Sequence, residues 1–124
     1  MTTKYLYVII LTMLLLSCNN WPPKEVRIKE GRKLISAALE MPTRYDFVAG
    51  HEIKTEDEAI EFAEPILFGI FGEDNIKDEK PYSVDLVDGY WILEGNLPRG
   101  YHGGTFEIIF SARNGWVIYL SHGK

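Results

Sequence analysis

The stretch YSVDLVDGYWILEG, residues 82–95, decides the fold of this chain. Apolar and polar residues alternate in its first half, and alternation is the pattern of a β-strand with one buried face. Asp88 and Gly89 follow, a pair that favours the positive backbone angles of a two-residue type I′ hairpin turn. A second apolar run begins at Tyr90, so the stretch predicts two antiparallel strands joined by a tight turn.

The same pattern recurs in the last twenty residues of the chain. The run TFEIIFSA (105–112) is followed by Asn114 and Gly115, a second pair typical of type I′ turns, and then by WVIYLS (116–121). Four strands in series with short connections predict an antiparallel meander.

The second strand of this meander is apolar on both faces. Strand alternation points Trp91 and Leu93 to one face and Tyr90 and Ile92 to the other. Such a strand is either covered on both faces, or covered on one face and bound by a partner on the other.

Two helices are predicted before the sheet. The run RKLISAALE (32–40) has one apolar side and ends before Pro42. Thr55 and Glu58 form a capping box, and the helix that begins there carries an apolar stripe as far as Gly72. The sequence therefore predicts an α+β fold in which N-terminal helices pack on a curved four-stranded antiparallel sheet.

The N-terminus has the features of an export signal. Its apolar run is shorter than the roughly 20 residues that a membrane span needs, and it ends in LLSC, which resembles a bacterial lipobox. We predict a lipoprotein signal peptide over residues 1–17, lipidation of Cys18, a tether over 18–24 and one domain over 25–124. The expected location is the bacterial cell envelope, with the chain anchored in a membrane through Cys18 and facing the periplasm.

Charge and cysteine content narrow the possible partners. The chain carries 13 Lys and Arg against 18 Asp and Glu, a net charge of −5, which disfavours nucleic acid and favours a basic protein partner. Cys18 is the only cysteine, so its lipidation leaves no thiol for disulfides, metal binding or catalysis.

No pattern in the chain predicts a catalytic residue, a metal site or a cofactor. The three histidines stand at spacings that metal sites do not use. The glycine-rich segment GNLPRGYHGG (95–104) is followed by a strand, whereas a phosphate-binding loop precedes a helix. Its Arg99, Tyr101 and His102 are therefore interpreted as contacts for a protein partner.

Four further residues are candidate partner contacts. Glu56 and Asp57 make the first turn of the second helix acidic, and an acidic surface steers a basic partner. Tyr90 and Trp91 are aromatic, and exposed aromatic side chains anchor protein interfaces. The alternative for Trp91 is a place in the hydrophobic core.

Several short motifs occur in a characteristic order between about residue 50 and the C-terminus. They are Thr-x-x-x-Ala-Ile-x-x-Ala-Glu from Thr55, Phe71-Gly72, Lys80-Pro81-Tyr82, Trp91-Ile92-Leu93-Glu94-Gly95, Leu97-Pro98-x-Gly100-x-x-Gly103-Gly104 and His122-Gly123-Lys124. Together they resemble the immunity proteins with a nuclear-transport-factor-2-like (NTF2-like) fold from bacterial polymorphic toxin systems. The resemblance implies a cystatin-like curved sheet wrapped by helices, and a non-catalytic protein that binds and neutralises a cognate toxin.

Two alternatives remain open on the sequence. A small-ligand-binding or enzymatic domain of the same fold would use a cone-shaped cavity with an acid of shifted pKa, for which Glu94 and Glu107 are the candidates. The other alternative is a structural envelope lipoprotein or a cystatin-like protease inhibitor. The inhibitor needs an exposed hairpin wedge, which the short predicted turns do not offer.

Overall fold

The computed structural model describes residues 21–41, 45–97 and 103–123. Its helices are α1 (Lys24–Glu40), α2 (Glu56–Phe71) and the short α3 (Glu73–Lys77). Its strands are β1 (Ser83–Val87), β2 (Tyr90–Glu94), β3 (Phe106–Ser111) and β4 (Val117–His122), which form one antiparallel sheet in the order β1-β2-β3-β4. The predicted α+β class and four-stranded meander are confirmed.

Helices cover both faces of the sheet, as its two apolar faces require. The larger core cluster lies between the sheet and the α2–α3 pair, and the smaller one lies between the sheet and α1. The larger cluster consists of Ile53, Ala59, Ala63, Leu67, Ile76, Trp91, Leu93, Phe106, Ile108, Phe110 and Val117. The smaller cluster consists of Ile35, Ala38, Val87, Ile92, Ile109 and Ile118.

Helix α1 begins at Lys24, eight residues before the predicted start and at the end of the predicted tether. The difference arises at Gly31, because an interior glycine lowers helix propensity by about 1 kcal/mol relative to alanine. The structure explains the glycine: a Cβ at this position would lie 2.7 Å from Cδ1 of Ile92 and 3.4 Å from Cγ2 of Val87. Gly31 therefore allows α1 to approach the sheet closely.

Helix α2 begins as the capping box predicts. The Thr55 hydroxyl accepts a hydrogen bond from the Glu58 backbone N–H at 3.1 Å, and the Glu58 carboxylate accepts one from the Lys54 N–H at 2.7 Å. The helix ends at Gly72, whose φ is 94°. The sequence does not predict α3, which follows Gly72 directly.

The two predicted hairpin turns differ in outcome. Asp88 (φ 49°) and Gly89 (φ 84°) both have the positive angles of the predicted type I′ turn. In the connection between β3 and β4, Gly115 has a positive φ (72°) but Asn114 does not. The prediction of a two-residue type I′ turn is therefore wrong there. The Asn114 carbonyl accepts hydrogen bonds from the backbone N–H groups of residues 49 and 50, which holds the connection in a longer loop and leaves Trp116 outside β4.

We expect Gly31→Leu to destabilise the protein by about 2 kcal/mol, because the added side chain overpacks the contact between α1 and the sheet. Gly69 is the matched control, since it also lies inside a helix but has open space where a Cβ would stand. Gly69→Leu is expected to stabilise by up to about 1 kcal/mol through helix propensity. Urea unfolding measures both free energies, and equal effects at the two positions would contradict the packing role of Gly31.

Candidate functional site

Four residues predicted to act at a site lie outside the described part of the chain. They are the lipidation residue Cys18 and the loop residues Arg99, Tyr101 and His102. Their roles stay predictions. The loop residues belong to the connection between β2 and β3.

Trp91 lies in the core, which corrects its prediction as a partner contact. Its side chain is 4% exposed, and its indole N–H donates a hydrogen bond to the carbonyl of Ile53 at 2.9 Å. The reason is that α2 and the segment before it cover this face of β2. Tyr90 points to the opposite face and is partly buried against the α1 cluster, so neither aromatic residue of β2 forms an open surface.

Glu56 and Asp57 are exposed at the start of α2, as predicted. Three acidic residues occupy this first turn, where the positive end of the helix dipole stabilises negative charge. Their neighbour Glu58 is engaged in the cap, so Glu56 and Asp57 are the two that can face a partner.

Exposed apolar side chains lie at the same end of the sheet. Trp116 is 39% exposed, Phe47 is 37% exposed and Val48 is 55% exposed. The backbone joins these positions, since the Val117 N–H donates to the Phe47 carbonyl at 3.2 Å. The segment then continues to Ile53, whose N–H donates to Ala112 at 2.7 Å, before the start of α2.

We call this surface the acidic–aromatic edge and define it as Phe47, Val48, Glu56, Asp57 and Trp116. The sequence missed its apolar part, because the run WVIYLS (116–121) predicts that Trp116 belongs to the last strand of the sheet. The overlooked signal is Asn114, whose side chain accepts a hydrogen bond from the Trp116 N–H at 2.9 Å and delays the start of the strand.

A second polar feature crosses the sheet on the face that α1 covers. Four residues stand opposite one another on successive strands, in the order Ser83, Glu94, Glu107 and Ser121. We call them the polar row. Glu94 and Glu107 are direct cross-strand partners, a placement in which two negative charges destabilise a sheet.

The environment of Glu107 favours its protonated form. Glu107 is half-buried, and burial together with a hydrogen bond to Glu94 and its negative charge raises the pKa of Glu107 to about 7. Glu94 and Glu107, the two acids named for the small-ligand alternative, therefore lie side by side.

An ion pair between a half-buried arginine and a buried aspartate lies beside the polar row. The Arg27 guanidinium donates from Nε to Oδ2 of Asp85 at 3.0 Å and from Nη2 to Oδ1 at 3.2 Å. The Ser83 hydroxyl donates to the same carboxylate at 3.3 Å, and Asp85 is 8% exposed. These contacts fix α1 to β1 and satisfy the buried charge.

A cavity of about 330 Å³ opens between the start of α1 and the first two strands. Its walls include Trp21, Val26 and Ile92, and its polar lining includes Arg27 and Glu94. The small-ligand alternative requires an acid of shifted pKa in such a cavity, but Glu107, whose pKa is raised, is not among the residues that line it.

His122 has a structural role at the end of β4. Its Nε2 lies 3.1 Å from Oε2 of the buried Glu79, whose other oxygen accepts a hydrogen bond from the Phe106 N–H at 2.8 Å. The His122 ring also packs against Phe71, with 5.1 Å between the ring centroids. These contacts tie the segment after α3 to β3 and β4.

Residues 21–41, 45–97 and 103–123 contain no group of three or more His, Cys, Asp or Glu side chains that could hold a metal ion. None of the helices in these ranges is both long enough and apolar enough to span a membrane.

We expect the free energy of unfolding to contain a contribution from Glu107 that falls as pH rises from about 4.5 to about 7. Between these values the carboxyl is protonated in the folded chain and ionised in the unfolded chain, so the folded state binds more protons. Glu107→Gln removes the titration and the charge repulsion, and it should stabilise the protein above neutral pH by about 1 kcal/mol.

Urea unfolding from about pH 5 to about pH 8 measures this effect as the difference between wild type and variant, which cancels all other titrating groups. The matched control is Glu61→Gln on the exposed side of α2, which removes a carboxylate away from the sheet. A difference that does not grow with pH for Glu107→Gln would contradict the raised pKa of Glu107.

Comparison with known proteins identifies a family to which this chain is similar. The family described as NTF2 fold immunity protein matches residues 58–124, which include all four strands. The uncharacterized protein YbbC of Escherichia coli (strain K12) is 37% identical over 73 residues, which make up 58% of this chain and 60% of YbbC. The uncharacterized protein YhhH of the same strain is 26% identical over 117 residues, or 94% of this chain and 87% of YhhH. No solved structure matches the chain.

The chain thus spans 60% of the length of YbbC and a larger share of YhhH. The family match covers more than half of the chain and the whole sheet. The architecture agrees with it, since helices precede and cover an antiparallel four-stranded sheet. This chain belongs to the family of NTF2-fold immunity proteins.

Proposed function

We propose that this chain is a lipid-anchored immunity protein that binds and neutralises a cognate bacterial toxin without catalysing a reaction. The observation that carries the proposal is the family match over residues 58–124. Membership in an immunity family implies a toxin as partner, and the toxin's name and activity are left open.

The proposed anchor is the lipidated Cys18 at the end of the predicted signal peptide. Two or more acyl chains are needed for stable anchoring, at about 0.8 kcal/mol per buried methylene, and a lipoprotein cysteine carries them. An immunity protein held in this way at the periplasmic face would meet a toxin that crosses or attacks the envelope.

The acidic–aromatic edge is the proposed toxin-binding surface within the described residues. An exposed tryptophan flanked by apolar side chains is the usual composition of an interface anchor. The acidic start of α2 would accelerate encounter with a basic toxin surface through long-range attraction. Both features lie on elements fixed by backbone hydrogen bonds, so the surface is preformed.

We expect Trp116→Ala to weaken toxin binding by about 2 kcal/mol, which is the loss typical of a tryptophan anchor. Leu86→Ala is the matched control, because Leu86 is an exposed apolar residue on β1, at the opposite edge of the sheet. The binding partner is the product of the gene next to this one, measured by calorimetry and by survival of cells that express both proteins. Equal binding by the two variants would exclude the acidic–aromatic edge, and no binding by wild type would overturn the immunity function.

We expect Cys18→Ser to abolish lipidation and release the protein from the membrane fraction. Cell fractionation and the mass of the mature N-terminus measure this directly. Ser17→Ala is the control, since a small residue before the cysteine is retained and lipidation should continue. A Cys18→Ser variant that stays in the membrane fraction would contradict the lipid anchor and leave toxin binding untouched.

A further inference from the structure

The sheet ends in two edge strands, and the described part of the chain covers only one of them. At β4, the Val117 N–H donates to the Phe47 carbonyl at 3.2 Å, and the Tyr45 hydroxyl donates to the Leu120 carbonyl at 3.3 Å. β1 pairs with β2 on its inner side, and no hydrogen bond joins its outer side to another described residue. Such an open edge is a template for a further strand.

The turn after β1 determines which backbone groups point outward. The two residues that flank a two-residue turn exchange hydrogen bonds, so Val87 bonds to β2, and the direction then alternates along the strand. Val84 and Leu86 therefore direct their N–H and C=O groups away from β2, and so does Tyr82 directly before β1. We call the outer side of these three residues the β1 edge.

The side chains along the β1 edge permit strand addition. Leu86 is 50% exposed on the face that α2 covers, where Tyr82 and Val84 are partly buried against the larger core cluster. A charged side chain near an edge normally opposes the addition of a strand. Here the Asp85 carboxylate is held through both oxygens by Arg27, so its charge is balanced within the chain.

We propose that two copies of this chain pair in antiparallel fashion along their β1 edges, with a twofold axis at Val84. In this register Val84 faces its own counterpart, Leu86 faces Tyr82 of the second copy, and Asp85 faces Ser83 of the second copy. The exposed Leu86 gains an aromatic neighbour across the strands. The carboxylate of Asp85 gains a neighbouring hydroxyl, which is a hydrogen-bond donor.

The other two registers that pair the same outward groups contain a conflict. An axis at Asp85 places two carboxylates directly opposite each other, which destabilises a strand pair. An axis at Leu86 places Val84 opposite Asp88, whose φ of 49° belongs to the turn and ends the ladder. The edge is thus self-complementary about Val84.

This pairing goes beyond the proposed function and is compatible with it. The twofold axis of an antiparallel strand pair is perpendicular to the sheet, so both α1 helices lie on the same face. Trp21, where the described chain begins, lies on that face in each copy, so two anchors of the kind proposed at Cys18 can enter one membrane. The acidic–aromatic edges lie along β4 at the far ends of the joined sheet, so both stay accessible.

Sedimentation equilibrium of the full chain carrying Cys18→Ser measures self-association without the proposed lipid. We expect a dimer with a dissociation constant on the order of tens of micromolar, the strength of a small transient interface. Leu86→Pro should weaken it about tenfold or more, because each dimer loses two backbone hydrogen bonds. Proline is tolerated in an edge strand at a position whose N–H faces solvent. Leu86→Val is the matched control, since it keeps the N–H and an apolar side chain and should retain the dimer.

Disulfide crosslinking tests the register in the same Cys18→Ser background, where an introduced cysteine is the only thiol. Val84→Cys places two thiols opposite each other at the axis, within the reach of a disulfide. Leu86→Cys places them roughly 13 Å apart along the strands. We therefore expect mild oxidation to crosslink Val84→Cys about tenfold more than Leu86→Cys.

Three results would overturn the proposal. They are a wild-type chain that stays monomeric at all concentrations, a dimer of unchanged strength in Leu86→Pro, and equal crosslinking at the two cysteine positions. Thermal unfolding shows whether each variant is folded, and the crosslinking pair remains a test if Leu86→Pro does not fold. None of these measurements involves a toxin, so the immunity function is tested separately.

Discussion

The fold depends on one constraint, which is that both faces of a four-stranded sheet carry apolar clusters that must be buried. β2 buries Trp91 and Leu93 toward α2 and Ile92 toward α1, so neither face can be left to water. Burial of each such side chain contributes about 1.5–3 kcal/mol, which exceeds what any surface ion pair here can supply. The two helical layers are the consequence of that requirement, and Gly31 allows the second layer to approach closely.

The same constraint explains which polar groups are fixed. In the first turn of α1, the Arg27 guanidinium forms a bidentate ion pair with Asp85 of β1. This pair connects the helix to the sheet beside their apolar contact. On the other face of the sheet, Glu79 connects the segment after α3 to the strands. Its carboxylate accepts a hydrogen bond from the Phe106 N–H and pairs with His122. Asp85 and Glu79 are themselves buried, so loss of Arg27 or His122 would leave a buried carboxylate without that partner. These residues therefore hold the layers in register.

The sequence predicts the parts of this fold that rest on local chemistry. The capping box at Thr55, the turn at Asp88 and the alternating strands each follow from neighbouring residues, and the structure confirms them. The predictions fail where distant contacts decide. Gly31 weakens a helix locally and is required by the sheet, while Asn114 is held by a segment more than sixty residues earlier in the chain.

The candidate partner surface also combines features that the sequence predicts with features that it does not. The acidity of the α2 start follows from the sequence, but the exposure of Trp116 depends on the course of the loop before it. Trp91 has the same residue type and the opposite environment, so composition alone cannot separate an anchor from a core residue.

Glu94 and Glu107 break the rule that opposed sheet positions avoid like charge, and they do so beside a row that contains Ile92 and Ile109 and ends in the buried Asp85. A glutamine or threonine at either position would remove the repulsion at no cost in packing. Natural proteins keep such locally unfavourable pairs mainly at functional or strained sites. On the face opposite Trp91, this pair is therefore the place where the sheet departs furthest from what its stability alone favours.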